Sequence, residues 1–183
     1  MHSTITQFID NLQLNPTDIF GIDGPCGSGK STLAARLSAA YDIDVIHLDD
    51  FFLPLDIRTP ERLAEIGGNV HYERFLSEVI HGIRSQKPFT YRKFSCEIMD
   101  YTDNITINNN KPIVIEGSYC LRLDFRSIYT KKIYLEIDAT TQKQRLIHRV
   151  GAERFQQFET LWIPKESAYF HTFHIKDIAD IVL

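Results

Sequence analysis

Residues 24–31 constrain this chain more than any other segment. They read Gly-Pro-Cys-Gly-Ser-Gly-Lys-Ser and match the pattern G-x-x-x-x-G-K-[ST] at every fixed position. Glycines let backbone N–H groups approach phosphate oxygens closely, and a helix that follows adds the positive end of its dipole. The segment lies between a short apolar run (18–23) and a helix-forming run (31–41), which is the context this motif requires. The sequence therefore predicts a site for a nucleoside triphosphate.

Two side chains of the motif have expected roles of their own. Lys30 would place a positive charge against the β- and γ-phosphates, and the Ser31 hydroxyl is a candidate ligand for Mg²⁺. The residues expected to contact the nucleotide are Gly24, Pro25, Cys26, Gly27, Ser28, Gly29, Lys30, Ser31 and Thr32. A chance glycine-rich turn is the alternative, and the flanking strand and helix argue against it.

Short apolar strands alternate with helical segments along most of the chain. A helix containing Ile5 and Leu12 is predicted first. Further strands are predicted at residues 44–48, 112–115, 132–137 and 178–183, and further helices at 60–66, 72–83, 140–150 and 152–170. This alternation predicts an α/β fold with a mainly parallel sheet.

The middle of the chain breaks this alternation. Residues 89–94 and 104–107 are rich in β-forming residues, and Asp103-Asn104 and residues 108–110 are typical of turns. We expect a small antiparallel insertion here. No linker or repeat divides the sequence, so we expect a single domain over residues 1–183.

Composition excludes several classes of function. The formal net charge of −4 argues against a general nucleic-acid binder. No apolar run approaches the length of a membrane span, and residues 1–10 lack the pattern of a secretory signal. The cysteines, Cys26, Cys96 and Cys120, are odd in number and lack CxxC spacing, which predicts reduced thiols in a cytoplasmic protein.

Acidic residues follow two of the predicted strands. Asp49 and Asp50 come after the second strand, and Glu116 comes after the strand at residues 112–115. Ligands of an open parallel sheet bind beyond the carboxyl ends of its strands. A carboxylate there can accept the proton of an attacking hydroxyl or help to hold Mg²⁺. The alternatives are solvated loop carboxylates or helix caps.

Arginines form the last candidate group. Arg145, Arg149 and Arg154 fall in a predicted helical stretch, and the first two share a helix face because they are four residues apart. On a mobile segment they could close over a transferring phosphoryl group, although a solvated helix face is the alternative. The chain has neither the Asn-Lys-x-Asp motif for guanine nor an ABC-type signature, which argues against GTPases and transporter ATPases.

Together, these motifs resemble the uridine kinase family of P-loop small-molecule kinases. That family is related to phosphoribulokinases, bacterial pantothenate kinases and nicotinamide riboside kinases. The resemblance extends from about residue 20 to the C-terminus and rests on residues 21–32, 47–52, 114–119 and 162–170. The second and third segments, His-Leu-Asp-Asp-Phe-Phe and Val-Ile-Glu-Gly-Ser-Tyr, are the more specific ones.

The resemblance implies a three-layer fold of the P-loop NTPase type. A mainly parallel five-stranded sheet would carry helices on both faces, with the insertion at about residues 86–110 and a lid at about 145–165. It implies MgATP-dependent transfer of the γ-phosphoryl group to a hydroxyl of a small molecule, with a nucleoside as the expected acceptor. Pantothenate, nicotinamide riboside or a sugar phosphate are alternative acceptors, and a non-catalytic nucleotide-binding module is an alternative function.

The resemblance also implies roles for individual residues. Asp49 would be the base for the acceptor hydroxyl and a candidate ligand of Mg²⁺, and Glu116 would support the metal. Phe52 and Tyr91 would contact the acceptor. Arg145 and Arg149 correspond to lid arginines with a catalytic role. A homodimer is a guess that no residue of the sequence supports.

The chain departs from the family pattern at two positions. His71 stands where related sequences have an aspartate expected on the ribose hydroxyls, and we expect His71 to contact the acceptor instead. A neutral imidazole accepts a hydrogen bond at one nitrogen only, which would weaken a grip on two hydroxyls. Cys96 lies near the position of a base-reading histidine. Both changes leave the acceptor's identity open.

Overall fold

The computed structural model describes the backbone of residues 2–183 and the side chains of residues 5–183. Met1 belongs to residues 1–10, which are expected to lack a secretory signal, and it lies outside the described residues. The strands are β1 (Ile19–Asp23), β2 (Asp44–His47), β3 (Phe89–Ser95), β4 (Asp100–Ile107), β5 (Ile113–Glu116), β6 (Lys131–Tyr134) and β7 (Ile181–Val182). Within residues 2–183, the strand order of the main sheet is β2-β5-β1-β6-β7, and all its pairings are parallel. The predicted five-stranded sheet is confirmed.

Helices follow the predicted alternation. They are α1 (His2–Asp10), α2 (Lys30–Ala40), α3 (Pro60–Ala64), α4 (Tyr72–Phe75), α5 (His81–Ser85), α6 (Ala139–Val150), α7 (Ala152–Gln157) and α8 (Ile163–Thr172). A π-helical turn joins α4 to α5 at Leu76–Ile80, and another joins α7 to α8 at Phe158–Trp162. The side chain of Asp138 caps α6 by accepting a hydrogen bond from the Thr141 N–H, as expected for a carboxylate at a helix start.

The sheet is covered on both faces. Every residue of β5 is buried, as expected for a central parallel strand. Ile113 and Ile115 pack into one apolar cluster with Phe75 and Tyr169, whereas Val114 packs into a second cluster with residues of α1 and α2. Because alternate residues of a strand point to opposite faces, these two clusters define the three layers of the fold.

The predicted antiparallel insertion is present as a hairpin of β3 and β4. The expected turn at Asp103-Asn104 is wrong, because Asn104 pairs with Arg92 within the hairpin and the chain reverses at residues 96–99. Asp and Asn are tolerated in this strand because both side chains are exposed. In residues 2–183, no helix combines the length and apolar character that a bilayer span requires.

Candidate active site

The segment at residues 24–31 forms the predicted turn between β1 and α2. Gly24 and Gly29 have φ angles of +147° and +105°, which side chains other than hydrogen rarely permit. A Cβ atom at Gly24 would also lie 2.5 Å from the Leu135 carbonyl oxygen. Gly29 caps α2 without a side-chain hydrogen bond, so the first-turn N–H groups of α2 remain available to an anion.

Lys30 is buried at the centre of this turn. Its Nζ donates to the carbonyl oxygens of Gly24 and Pro25 at 2.7 and 3.0 Å, and to Ser118 Oγ at 3.2 Å. A buried ammonium needs such partners, and here three oxygens hold it across the loop. This places a fixed positive charge in the turn that is predicted to bind phosphate.

Asp23, the last residue of β1, lies beneath the loop with no exposed surface. Its Oδ1 accepts from the N–H groups of Gly24 (2.7 Å) and Tyr119 (3.2 Å). Its Oδ2 accepts from the Leu121 N–H (2.9 Å) and the Tyr169 hydroxyl (2.8 Å). Burial raises the pKa of Asp23 to about 6, while these donors favour the ionised form. The carboxylate therefore ties three segments together, a role that the sequence did not reveal.

Replacing Asp23 with asparagine is expected to destabilise the protein by about 1–3 kcal/mol. The asparagine amide would direct an N–H group at a backbone N–H that now donates to the carboxylate, which leaves a buried donor unpaired. Urea denaturation measures the free energy of unfolding. Asp56→Asn, at an exposed aspartate, is the matched control and should leave stability unchanged. If both variants were equally stable, the Asp23 carboxylate would not be needed for the stability of the fold.

Glu116, Ser31 and His47 meet at the carboxyl ends of β2 and β5. The Ser31 hydroxyl donates to Glu116 Oε1 at 3.0 Å, and His47 Nδ1 lies 2.6 Å from the same oxygen. His47 and Glu116 are paired in the register of the two strands. The hydrogen bond to Glu116 raises the pKa of His47 above its ordinary value. Sequence reasoning missed His47, although strand register could have indicated it.

These oxygen donors fit a magnesium ion. Mg²⁺ takes one or two carboxylates and completes its octahedron with waters and substrate phosphates. Among the described side chains, no group of three His, Cys, Asp or Glu is arranged to hold a metal by itself. The Ser31 hydroxyl and the Glu116 carboxylate, with Asp49 on the same cavity, supply the small set that a magnesium–phosphate complex needs.

Asp49 and Asp50 point in different directions. Both belong to a 3₁₀ turn (Leu48–Phe51) that follows β2. Asp49 lines the main cavity, where solvent reaches it. Although solvent reaches this side chain, the protein groups around its carboxyl partly desolvate it, and this desolvation, followed by the negative charge of Glu116, raises the pKa of Asp49. Asp50 is buried on the other side, where it accepts a hydrogen bond from the Tyr91 hydroxyl at 3.2 Å.

Of the two predicted lid arginines, Arg145 contacts the loop at residues 24–31. Arg145 Nη1 donates to the carbonyl oxygens of Gly27 and Ser28 at 3.1 and 3.2 Å. Arg149 and Arg154 also line the cavity. Arg145 therefore joins α6 to the loop at residues 24–31, and the lid role of these arginines stays a prediction.

Glu166 of α8 also fixes the phosphate-binding loop. It accepts from the Cys26 N–H at 2.7 Å and from the Ser118 hydroxyl at 2.8 Å, and it is buried. Gln142 of α6 donates to the Cys26 carbonyl oxygen at 2.9 Å. Sequence analysis assigned no role to either residue, although Glu166 lies in the segment 162–170 that carries part of the family resemblance.

The cavity between these elements has a volume of about 1140 Å³. Small-molecule sites usually span 300–1000 Å³, so this space can hold a nucleotide together with a small acceptor. Phe52, expected at the acceptor, lines the cavity with Asn69, Cys96 and Trp162. Phosphate-binding groups and the carboxylate of Asp49 therefore face one shared space.

Two residues expected to contact the acceptor lie away from this cavity. Tyr91 is buried in the apolar core, with its ring centroid 5.2 Å from that of Phe51. His71 caps α4 by accepting from the Arg74 N–H at 3.3 Å, and it faces a separate recess of about 250 Å³. Core packing explains the first position and helix capping explains the second, so in this structure neither side chain is placed to touch an acceptor.

Comparison with known proteins finds solved structures that are similar to this one. No family model matches the sequence, and no curated protein matches it. A possible uridine kinase from Bacillus stearothermophilus superposes with a TM-score of 0.76 at 21% identity, covering 100% of this chain and 98% of the other. The chain has the fold of the P-loop kinases.

Two further structures share this P-loop kinase fold. A candidate fructose transport system kinase from Silicibacter sp. TM1040 gives a TM-score of 0.75 at 20% identity, covering 99% and 97% of the two chains. A candidate P-loop kinase with a circular permutation, from Saccharomyces cerevisiae, gives 0.60 at 12% identity, covering 99% and 96%. At these identities, the likeness defines the fold and leaves the acceptor open.

Proposed function

We propose that this protein is an ATP-dependent kinase that transfers the γ-phosphoryl group to a hydroxyl of a small molecule. One observation carries the proposal: the carboxylate of Asp49 and the phosphate-binding loop line the same cavity. A module that only binds a nucleotide has no need of a base beside the triphosphate. The family resemblance makes a nucleoside the first acceptor class to test. The cytoplasmic location stays a prediction from the sequence, and the homodimer stays a proposal.

In this proposal, the loop amides and Lys30 bind the phosphates, while Ser31 and Glu116 hold Mg²⁺, with Asp49 as a further candidate ligand. Bound MgATP supplies the phosphoryl group and neutralises part of its charge. Asp49 accepts the proton of the acceptor hydroxyl as that oxygen gains its bond to phosphorus, and ADP departs with the electron pair. Arg145 and Arg149 stabilise the transferring charge and exclude water, which suppresses hydrolysis.

The test is acceptor-dependent release of ADP. We expect MgATP alone to be hydrolysed slowly, and at least one hydroxyl compound to raise ADP release by about tenfold or more. The panel comprises uridine, cytidine, pantothenate, nicotinamide riboside and ribulose 5-phosphate, and mass spectrometry identifies the phosphorylated product. Tight ATP binding without stimulation by any acceptor would favour a nucleotide-binding regulatory module instead.

A further inference from the structure

Arg58 stands on a wall of the main cavity without a carboxylate partner. It is half-buried and follows the 3₁₀ turn Leu55–Ile57. Across the side chains of residues 5–183, it forms no ion pair. Nearby arginines are each matched by an acid within 4 Å: Arg62 by Glu73, Arg74 by Glu78, and Arg122 by Asp124. The positive charge of Arg58 is therefore left for something that enters the cavity.

Arg58 and Asp49 line the same cavity. The thiol of Cys96, in the turn of the β3–β4 hairpin, lies within electrostatic reach of both. Partial burial raises the pKa of this thiol, the positive Arg58 lowers it, and the negative Asp49 raises it further. Lys30 and Arg145, by contrast, are anchored to the phosphate-binding loop. Arg58 has no such contact with the loop, and we therefore place it on the acceptor side.

Asn69 adds an unpaired amide to this wall. Its side chain is more than nine-tenths buried and lines the cavity, and its Oδ1 has no hydrogen-bond partner among the described residues. Its backbone is fixed, because its carbonyl oxygen accepts from the Leu53 N–H at 3.0 Å. A buried amide oxygen left without a partner is costly, and the Asn69 side chain lies on the cavity wall where its amide is available to a ligand.

We propose that the acceptor carries an anionic group, a carboxylate or a phosphate, besides the hydroxyl that is phosphorylated, and that Arg58 and Asn69 bind this anion. The inference rests on the proposed kinase function and narrows its acceptor class. Guanidinium and amide N–H groups are the donors that suit such an anion. An uncharged nucleoside would offer Arg58 no negative group to pair with.

Matched pairs of neutral and anionic acceptors test this inference. Pantothenate is compared with panthenol, orotidine with uridine, and fructose 6-phosphate with fructose, so that carboxylate and phosphate arms are separate. We expect the anionic member of at least one pair to have the higher kcat/KM for ADP release. Arg58→Gln should lower that kcat/KM by about 10- to 100-fold, mainly through KM, while the neutral member and the KM for ATP stay unchanged.

Two further variants make the result specific. Arg58→Lys keeps the charge and should recover part of the loss, and Arg84→Gln, at an exposed arginine of α5, should change nothing. Equal use of neutral and anionic acceptors would overturn the inference and leave the kinase function standing, as would a loss in Arg58→Gln confined to ATP. If no acceptor stimulates ADP release by the wild-type protein, the kinase function itself fails and this inference fails with it.

Discussion

Replacing Lys30 with methionine is expected to lower acceptor-dependent ADP release by about a thousandfold or more. Methionine keeps most of the side-chain length but removes the charge that the Gly24 and Pro25 carbonyl oxygens and Ser118 now hold in the loop. Charge develops on the transferring phosphoryl group, and a preorganised cation in a site screened from water stabilises it strongly. Initial rates at saturating acceptor measure the effect.

The control for this variant is Lys87→Met, at an exposed lysine between α5 and β3, which should keep full activity. Calorimetry with MgATP should show weaker binding for Lys30→Met, because in the proposed complex the same ammonium would face the phosphates of the nucleotide. Thermal unfolding checks that the variant still folds, since three oxygens lose a buried partner. A folded Lys30→Met protein with activity close to the wild type would contradict the assignment of residues 24–31 as the phosphate site.

The strands and helices could be predicted because they depend on local sequence patterns. A strand, a glycine-rich turn and a helix within residues 18–41 give the phosphate-binding loop directly, and apolar runs give the parallel strands. The contacts that fix the phosphate-binding loop, by contrast, join residues that are far apart in the sequence. Asp23 meets Tyr169, 146 residues away, and Glu166 meets Cys26, 140 residues away. No local pattern reports such pairs, because they form only when the layers pack.

Acidic and aromatic residues show a second limit of sequence reasoning. Asp49 and Asp50 are adjacent and identical in type, so only the direction of the 3₁₀ turn separates a cavity residue from a buried one. From the sequence of β3, the side chain of Tyr91 could face either a ligand or the core. In the structure it packs into the apolar core. The family resemblance assigns His71 to the acceptor site, whereas its position before α4 makes it the cap of that helix.

Replacing Asp49 with asparagine is expected to lower phosphoryl transfer by about a hundredfold to ten-thousandfold while ATP binding stays near normal. Asparagine occupies the same space but cannot accept the proton of the acceptor hydroxyl. Single-turnover transfer and calorimetry with MgATP separate the two effects. An Asp49→Asn enzyme that remains fully active would exclude Asp49 as the base and leave positioning as its only available role.

Asp50→Asn is the matched control, because the change is chemically identical and the side chain faces Tyr91 and Lys93 rather than the cavity. Its transfer rate should stay near the wild-type rate. The pH dependence gives an independent check. A base must be ionised, and burial together with Glu116 raises the pKa of Asp49 above 3.8. Transfer by the wild type and by Asp50→Asn should therefore decline on acidification at a higher pH than for an ordinary aspartate, whereas residual transfer by Asp49→Asn should lack that decline.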